Sequence, residues 1–200
     1  MRELHFATSN AGKFASLERA LAEYAPEVRA IQVKMEFDEP RSDDLKLISR
    51  EKALFAYRRI QREVVANDAG FYVGSLNGFP KAFVNFCLGT IGIEGILALV
   101  AGKERECEFR NVLAYYNGSS EEPVFFESVS PGHLSPEPRG TRKAEQWSDL
   151  FLVFIPEGEE KTLAEMSPAE YSGWLERRRE DSAMAQFARW YAGRSDATLK

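Results

Sequence analysis

The stretch Leu4-His-Phe-Ala-Thr-Ser-Asn-Ala-Gly-Lys13 marks the point where a strand pattern gives way to a helix pattern. The same alternation of strand and helix is found along the rest of the chain. Residues 4–8 form a short apolar run typical of a strand, and the Ser-Asn-Ala-Gly sequence after it is turn-like. Apolar residues then recur at helical spacing, at positions 14, 17, 21 and 24. This pattern predicts a strand, a loop and a helix that ends before Pro26, because a proline disfavours helical geometry in the preceding residue.

The same alternation of strands and helices continues along the chain. Residues 28–33 alternate as a second strand would, and a helix pattern begins at Asp44 with Ser42 or Asp43 available as its cap. Further segments follow in chain order: a buried strand at 64–66, a tight turn at 68–70, a helix at 83–100 broken near Gly89 and Gly92, a hairpin of 107–116 with 124–129, a buried strand at 150–155 and an Arg-rich helical region at 167–193. Because strands and helices interleave and a hairpin is antiparallel, the predicted class is α/β with a mixed sheet, in one domain over residues 1–200.

Composition limits the class of protein. The 200 residues carry a net charge of -5, which argues against a protein that mainly coats nucleic acid or acidic membrane. Two cysteines, Cys87 and Cys107, are too few for a disulfide framework. Residues 1–10 lack the features of a signal peptide, and the longest apolar stretch, residues 95–102, is too short to span a bilayer. We therefore expect a soluble, cytoplasmic protein that binds any anion through local groups.

The loop after the first strand is one candidate site. Such a loop directs backbone amides and the positive end of a helix toward a ligand, and Lys13 adds a full charge, so phosphate is the natural ligand. The segment is not a Walker loop, because Phe14 follows the lysine where Ser or Thr is required. The alternative is an ordinary helix start, capped by Ser9 or Asn10, with a solvated lysine.

Acidic residues form a second candidate site. Asp68 ends a buried strand at the sheet edge where α/β proteins usually place ligands, so it could hold Mg²⁺ or orient a water molecule. The alternative for Asp68 is an Asx-turn. Asp44, the last of the acids at 38–44, could lie opposite Asp68 as a second metal ligand, or it could favour the helix start as an acidic first-turn residue.

The C-terminal half offers less chemistry. Three consecutive arginines at 177–179 could clamp phosphate, but the acids interleaved with them favour a solvated helix face. Neither His5 nor His133 has a visible Ser or Cys partner, so the sequence gives no support to a nucleophilic triad.

Taken in order, these segments resemble one family, the Ham1-like inosine triphosphate pyrophosphatases, over nearly the whole chain. The matching segments are Ala7-Thr-Ser-Asn-Ala-Gly-Lys13, Asn67-Asp-Ala-Gly70 with Leu76-Asn-Gly-Phe-Pro80, Gly92-Ile-Glu-Gly-Ile-Leu97, Pro138-Arg-Gly140, and Ile155-Pro-Glu-Gly158 with Lys161-Thr-Leu-Ala-Glu-Met166. Members of this family cut non-standard purine nucleoside triphosphates to monophosphate and pyrophosphate. The resemblance implies an elongated α/β fold with a mixed sheet, two lobes flanking a central cleft, and a homodimer.

The resemblance also implies roles for individual residues and a cofactor. Asn10 and Lys13 would bind the triphosphate, and Asp68 would be the catalytic acid that holds Mg²⁺ or orients the attacking water, with Asp44 as a further metal ligand. The remaining residues expected to bind substrate are Thr8, Ser9, Lys52, Lys81, Trp147, Asp149 and Arg177. The expected partners are Mg²⁺ and a nucleoside triphosphate, with no nucleic acid and no membrane.

The chain departs from the family pattern at several positions. Asn67 stands where the first of two adjacent acids is usual, and Ser49 where a helix lysine is usual, unless Lys52 replaces it from one turn further. The segment that grips the purine appears as Glu145-Gln-Trp-Ser-Asp149, and only Arg177 remains of the C-terminal Ser-His-Arg signature. Three hypotheses follow: an active Mg²⁺-dependent pyrophosphatase with altered base choice, a catalytically silent relative that binds a nucleotide or a partner protein, and a hydrolase of another phosphorylated small molecule.

Overall fold

A computed structural model describes residues 2–143 and 148–194, which contain a seven-stranded sheet and six α-helices. The strands are β1 (Arg2–Ala7), β2 (Val28–Val33), β3 (Val64–Val73), β4 (Pro80–Lys81), β5 (Glu106–Tyr116), β6 (Val124–Leu134) and β7 (Phe154–Pro156). The helices are α1 (Ala11–Tyr24), α2 (Leu45–Ile60), α3 (Val84–Thr90), α4 (Gly92–Leu99), α5 (Pro168–Arg177) and α6 (Ala183–Ala192), with short 3₁₀ segments at Gly74–Leu76, Asp149–Leu152 and Arg179–Asp181.

The sheet combines parallel and antiparallel pairs. Its strand order is β2-β1-β3-β5-β6-β7, and β4 pairs with β3 off this path. β1 is parallel to β2 and to β3, whereas β4 is antiparallel to β3 and β7 is antiparallel to β6. The predicted α/β class with a mixed sheet is confirmed.

The N-terminal strand–loop–helix unit forms as predicted. α1 begins after Asn10 and ends at Tyr24, just before Pro26. β1 and β3 run side by side in parallel, with Ala7 opposite Ala66. Because parallel strands end at the same edge of a sheet, the loop that follows β1 and the residues that follow Ala66 come together there.

The predicted turn at residues 68–70 is wrong, because β3 continues without interruption from Val64 to Val73. Gly70 has a different task from the one that its sequence context indicated. A Cβ atom there would lie 2.8 Å from the carbonyl oxygen of Lys81, on the neighbouring strand β4. The glycine therefore allows two backbones to approach closely rather than reversing the chain.

Two further expectations need local correction. The helix α2 is capped by Asp44 instead of Ser42 or Asp43. The apolar run at 150–155 starts as the 3₁₀ segment Asp149–Leu152, because the side chain of Ser148 accepts a hydrogen bond from the amide of Leu150. Strand geometry begins only at Phe154.

The chain divides into two compact units, and the first comprises described residues 2–68, 112–128 and 179–194. Its core packs α1 and α6 with β1, and the largest fully buried side chains include Phe6, Phe187 and Tyr191. Tyr115 and Tyr191 donate hydrogen bonds of 2.6 and 2.5 Å to the two carboxylate oxygens of Glu63. We call these three residues the Glu63 clamp; it ties the last helix to residues early in the chain.

The second unit comprises described residues 69–111, 129–143 and 148–178. Aromatic rings of Phe71, Phe109 and Phe154 contact one another at its centre, at centroid distances of 4.8 to 6.2 Å. Both cysteines are buried free thiols in this core. Within the described part of the chain, no helix combines the length and apolar character needed to cross a membrane.

Candidate functional site

The loop between β1 and α1 is held by two side-chain caps. The side-chain oxygen of Asn10 accepts a 3.0 Å hydrogen bond from the amide of Lys13, and the hydroxyl of Thr8 accepts one of 3.1 Å from the amide of Asn10. Asn10 is therefore the helix cap that one of the two sequence interpretations required, while Ser9 is exposed. The loop is fixed before any ligand arrives.

Lys13 is not the solvated surface lysine of the alternative interpretation. Its side chain is partly buried, and Nζ donates to the carbonyl oxygen of Asn67, 3.4 Å away on β3. Burial lowers the pKa of the Lys13 ammonium to about 8; the negative charge of Asp68 opposes this shift, and the positive charge of Lys52 adds to it. A cation held at this cost beside a helix N-terminus favours an anionic ligand.

Lys52 connects two carboxylates. Its Nζ lies 2.8 Å from Oδ1 of Asp68 and 2.6 Å from Oε1 of Glu39, and its side chain is only 17% exposed. Burial disfavours the charged form, but the two carboxylates outweigh it, so the pKa of Lys52 is raised above its ordinary value. Lys52, which the sequence offered as a substitute for a lysine at position 49, thus places a cation beside Asp68.

Ser49 and Asn67 form a buried polar layer behind Asp68. The hydroxyl of Ser49 donates a 2.9 Å hydrogen bond to the carbonyl of Val112 and accepts one of 3.0 Å from the amide of Asp68. The side-chain amide of Asn67 donates to the same Val112 carbonyl at 3.0 Å. These bonds fix the backbone that carries the Asp68 carboxylate, which itself is buried.

The Asn67 side chain also leaves one acceptor unused. Asn67 is 5% exposed, and its Oδ1 is buried without a hydrogen-bond partner among the residues that the structure describes. A buried unpaired acceptor costs free energy, so it favours a ligand that can approach it.

Two acids of the run before α2, Asp44 and Glu39, have different contacts. Oδ1 of Asp44 accepts hydrogen bonds from the amides of Lys46 and Leu47, at 2.8 and 3.2 Å, so this carboxylate caps the helix. Glu39, in the irregular segment 34–40, is the acid that reaches Lys52. No group of three or more His, Cys, Asp or Glu side chains able to hold a metal occurs within residues 2–143 and 148–194.

The remaining predicted site residues belong to the second unit. Asp149 forms an ion pair with Arg142, and Arg177 forms one with Glu159. Lys81 lies in β4 with a left-handed backbone, at φ 55°. Trp147 falls outside the described residues. The structure therefore brings together Thr8, Asn10, Lys13, Lys52 and Asp68 in the first unit, and it engages Asp149 and Arg177 in ion pairs within the second.

Three residues of this site were not among the predicted binding or catalytic residues. Glu39 lies in an irregular segment, where no periodicity indicates which acid turns inward. Ser49 and Asn67 are polar residues at positions whose pattern indicates burial, and that contradiction between residue type and pattern was the available signal.

Comparison with known proteins places the chain in a family. The model of the Ham1 family matches residues 4–190. The dITP/XTP pyrophosphatase of Methanopyrus kandleri is 35% identical over 187 residues, which cover 93% of this chain and 94% of that protein. The dITP/XTP pyrophosphatase of Saccharolobus solfataricus is 34% identical, with 92% of each chain covered.

Solved structures agree on the fold. A HAM1 protein from Coxiella burnetii superimposes with a TM-score of 0.76 at 21% identity, covering 96% of this chain and 97% of that one. The nucleoside-triphosphatase / dITP/XTP pyrophosphatase from Mycobacterium abscessus gives a TM-score of 0.70 at 23% identity, covering 88% and 95%. With a family model that spans almost the whole chain and relatives above 30% identity along it, this protein belongs to the Ham1 family.

Proposed function

We propose that the protein is a nucleoside triphosphate pyrophosphatase, which uses water and Mg²⁺ to cleave a nucleoside triphosphate into a nucleoside monophosphate and pyrophosphate. The observation that carries the proposal is the meeting of two partly buried lysines, Lys13 and Lys52, with the Asp68 carboxylate at a capped helix start. Relatives that share about a third of their residues with this chain are named dITP/XTP pyrophosphatases. The proposed substrate class is a triphosphate carrying a deaminated or otherwise non-standard purine.

The loop and its lysine bind the polyphosphate. The amides at the start of α1 and the ammonium of Lys13 provide donors, and the side chains of Asn10 and Thr8 fix the backbone of this loop. Donors positioned in advance stabilise the charge that develops on phosphate oxygens without reorganising during the reaction. Ser9, exposed at the tip of this loop, is proposed as a further phosphate contact.

Glu39 and Asp68 fit a magnesium ion. Both carboxylates already surround one cation, the Lys52 ammonium. Mg²⁺ prefers such oxygen ligands and uses few protein carboxylates when it is also bound by phosphates. When bound, the ion would offset charge on the phosphate oxygens. The predicted role of Asp44 as a metal ligand stays a prediction, alongside its capping of α2.

Asp68 has the position of the residue that orients the attacking water. Its backbone amide is fixed by Ser49, the residue is 8% exposed, and its carboxylate pairs with the ammonium of Lys52. A fixed carboxylate beside bound phosphate can accept a proton from water as the water oxygen attacks phosphorus. The water oxygen forms the new bond to phosphorus, and the anhydride bond to the leaving pyrophosphate breaks.

We propose Lys81, Trp147, Asp149 and Arg177 as further substrate-binding residues. We also propose a surface for pairing with a second copy of the chain. Phe83, Phe86 and Ile91 expose 46%, 73% and 42% of their surface, and we propose that this apolar segment pairs with a second copy of the chain in a cytoplasmic homodimer. Sedimentation of wild-type protein against Phe86→Glu tests the pairing.

An assay with a panel of nucleoside triphosphates tests the function. Pyrophosphate release is measured with MgCl₂ and with excess chelator, for wild type, Lys13→Ala, Asp68→Asn and the control Lys46→Ala. Lys46 lies on α2 near the site, but it is exposed and pairs with Glu127. We expect release with Mg²⁺ from wild type and the control, and at least a hundredfold loss in Asp68→Asn, because the amide cannot accept the proton of the attacking water. No release from any triphosphate rejects the proposal.

Asn67 favours the alternative, a relative that binds a nucleotide without turning it over. An amide next to Asp68 provides one negative charge fewer than a second carboxylate, and this weakens the attraction of the site for a divalent cation. Nucleotide binding that is indifferent to Mg²⁺, measured by calorimetry, would support this alternative. Turnover by wild type that disappears in Asp68→Asn would eliminate it.

A further inference from the structure

We propose that Lys52 is an internal counter-ion, whose ammonium occupies the place of a divalent cation between Glu39 and Asp68 until a metal-bound triphosphate exchanges with it. The inference rests on the proposed function, since it concerns how that site receives its metal and substrate. It assigns Lys52 two positions: on the carboxylates when the site is empty, and on phosphate oxygens when the site is filled.

The contacts of Lys52 are those of a cation that two carboxylates share. Its Nζ is 2.6 Å from Glu39 and 2.8 Å from Asp68, and both distances are short, as is usual for hydrogen bonds between charged groups. A lysine ammonium is a compact point charge with three donors, and it can rotate away on a flexible stem. The two carboxylates that fit a metal are therefore already paired with a movable cation.

Charge balance makes the exchange necessary. Two carboxylates, Glu39 and Asp68, face two lysines, Lys13 and Lys52, so the empty site is close to neutral. A divalent cation entering alone would add two positive charges and leave the displaced Lys52 ammonium beside Lys13 without an acidic partner. Repulsion between these cations opposes the binding of metal alone.

A triphosphate removes this repulsion. Its oxygens give the displaced Lys52 ammonium a new partner, close to the loop where Lys13 already lies at the start of α1. Metal and triphosphate therefore bind with positive coupling, and by thermodynamic linkage each strengthens the other by the same factor. The site selects the metal–nucleotide complex over the free metal.

Binding of Mn²⁺ alone, in the absence of any nucleotide, tests the exchange. Free Mn²⁺ is measured by electron paramagnetic resonance during titration of wild type, Lys52→Met and the control Lys46→Met. Removing the competing ammonium should tighten Mn²⁺ binding by about tenfold in Lys52→Met, which corresponds to one modest charge–charge coupling. The control should match wild type, because Lys46 pairs with the exposed Glu127. In the double variant Glu39→Gln/Lys52→Met the gain should disappear.

A second variant, Lys52→Gln, keeps the proposal testable if Lys52→Met does not fold. Lys52→Met leaves the buried Asp68 carboxylate without its partner, whereas Lys52→Gln keeps donors for both acids and removes only the charge. Mn²⁺ should raise the melting temperature of Lys52→Gln more than that of wild type. Mn²⁺ affinity in both Lys52 variants equal to or weaker than in wild type overturns the proposal.

The outcome separates this inference from the proposed function. Pyrophosphate release by wild type is measured on the same protein preparation. Release without any tightening of Mn²⁺ binding in the Lys52 variants supports the function and refutes the exchange. Tightening without release shows that Lys52 competes with a cation at a site that does not hydrolyse triphosphates, which supports the counter-ion role and rejects the function.

Discussion

Replacing Ser49 by alanine should weaken both the fold and the site. The hydroxyl of Ser49 is the acceptor for the buried amide of Asp68, at 3.0 Å, and Ser49 itself has no exposed surface. Val112, which also accepts from the hydroxyl, keeps its hydrogen bond from Asn67. The variant therefore leaves one buried donor without an acceptor, which costs about 1–3 kcal/mol.

The effect on catalysis follows from the position of that amide. Asp68 carries the carboxylate that we assign to the attacking water, and a shift of about 1 Å in a reacting group can reduce a rate by about a hundredfold. We expect kcat of Ser49→Ala to fall by about ten- to a hundredfold while KM changes little, because the phosphate-binding loop at Asn10 and Lys13 is untouched.

Urea unfolding and steady-state kinetics measure the two effects. Ser16→Ala is the matched control, since the Ser16 hydroxyl also bonds a backbone carbonyl, that of Gly12 at 2.9 Å, but on an exposed helix face. The control should stay within about 0.5 kcal/mol of wild type. If Ser49→Ala is equally stable and keeps its kcat, the hydroxyl does not hold Asp68 in place.

Three further results are expected. Glu63→Gln weakens the Glu63 clamp and should lower the free energy of unfolding by about 1–3 kcal/mol. Burial and Glu63 raise the pKa of Tyr191, so above about pH 10 the phenol ionises first in the unfolded chain, and the stability of wild type should fall as pH rises further. Gly70→Ala should destabilise by about 1–3 kcal/mol because its Cβ meets the neighbouring strand, whereas Gly89→Ala, a helical position with nothing within 4 Å, should be neutral or stabilising; thermal melts compare them. Affinity for a non-hydrolysable nucleoside triphosphate should fall between pH 7 and 9, since the pKa of Lys13 is about 8, and calorimetry of Lys13→Gln should lack that fall.

The lowered pKa of Lys13 changes the free energy of unfolding with pH in the opposite direction to ligand affinity. Between pH 8 and the ordinary lysine range near 10, the unfolded chain keeps a proton that folded Lys13 has lost. The free energy of unfolding therefore gains from this group as pH rises through that window. Ligand affinity and the Lys13 contribution to stability should change in opposite directions, and a pH series of both measurements checks this.

Sequence patterns predicted the elements whose apolar spacing is regular. The helix with apolar residues at 14, 17, 21 and 24 and the strand at 28–33 form where the spacing placed them. Patterns failed where a residue type has two uses. Gly70 indicated a turn but permits a close approach of strands. For Asp44 the sequence left two roles open; the structure shows it at the start of a helix as the cap, and its role as a metal ligand stays a prediction.

The site was predictable only in part, because its members come from segments with different kinds of signal. Lys13 follows a strand–loop–helix pattern, so its proximity to a ligand was foreseeable. Glu39 lies in an irregular segment, and its contact with Lys52 depends on the path of that segment through space. Hydrophobic spacing gives no information on such a path.

The Glu63 clamp cannot form until the C-terminal part of the chain has been synthesised. Tyr191 follows Glu63 by 128 residues, so at about 5–20 residues per second the ribosome needs on the order of 6–25 s to supply the partner of a carboxylate that has already emerged. During that interval the apolar faces of α1 and β1 are not yet covered by α6. A chain truncated before α6 would lack part of the cluster that buries Leu17 and Leu21, and such exposed apolar surface is what chaperones and proteases recognise.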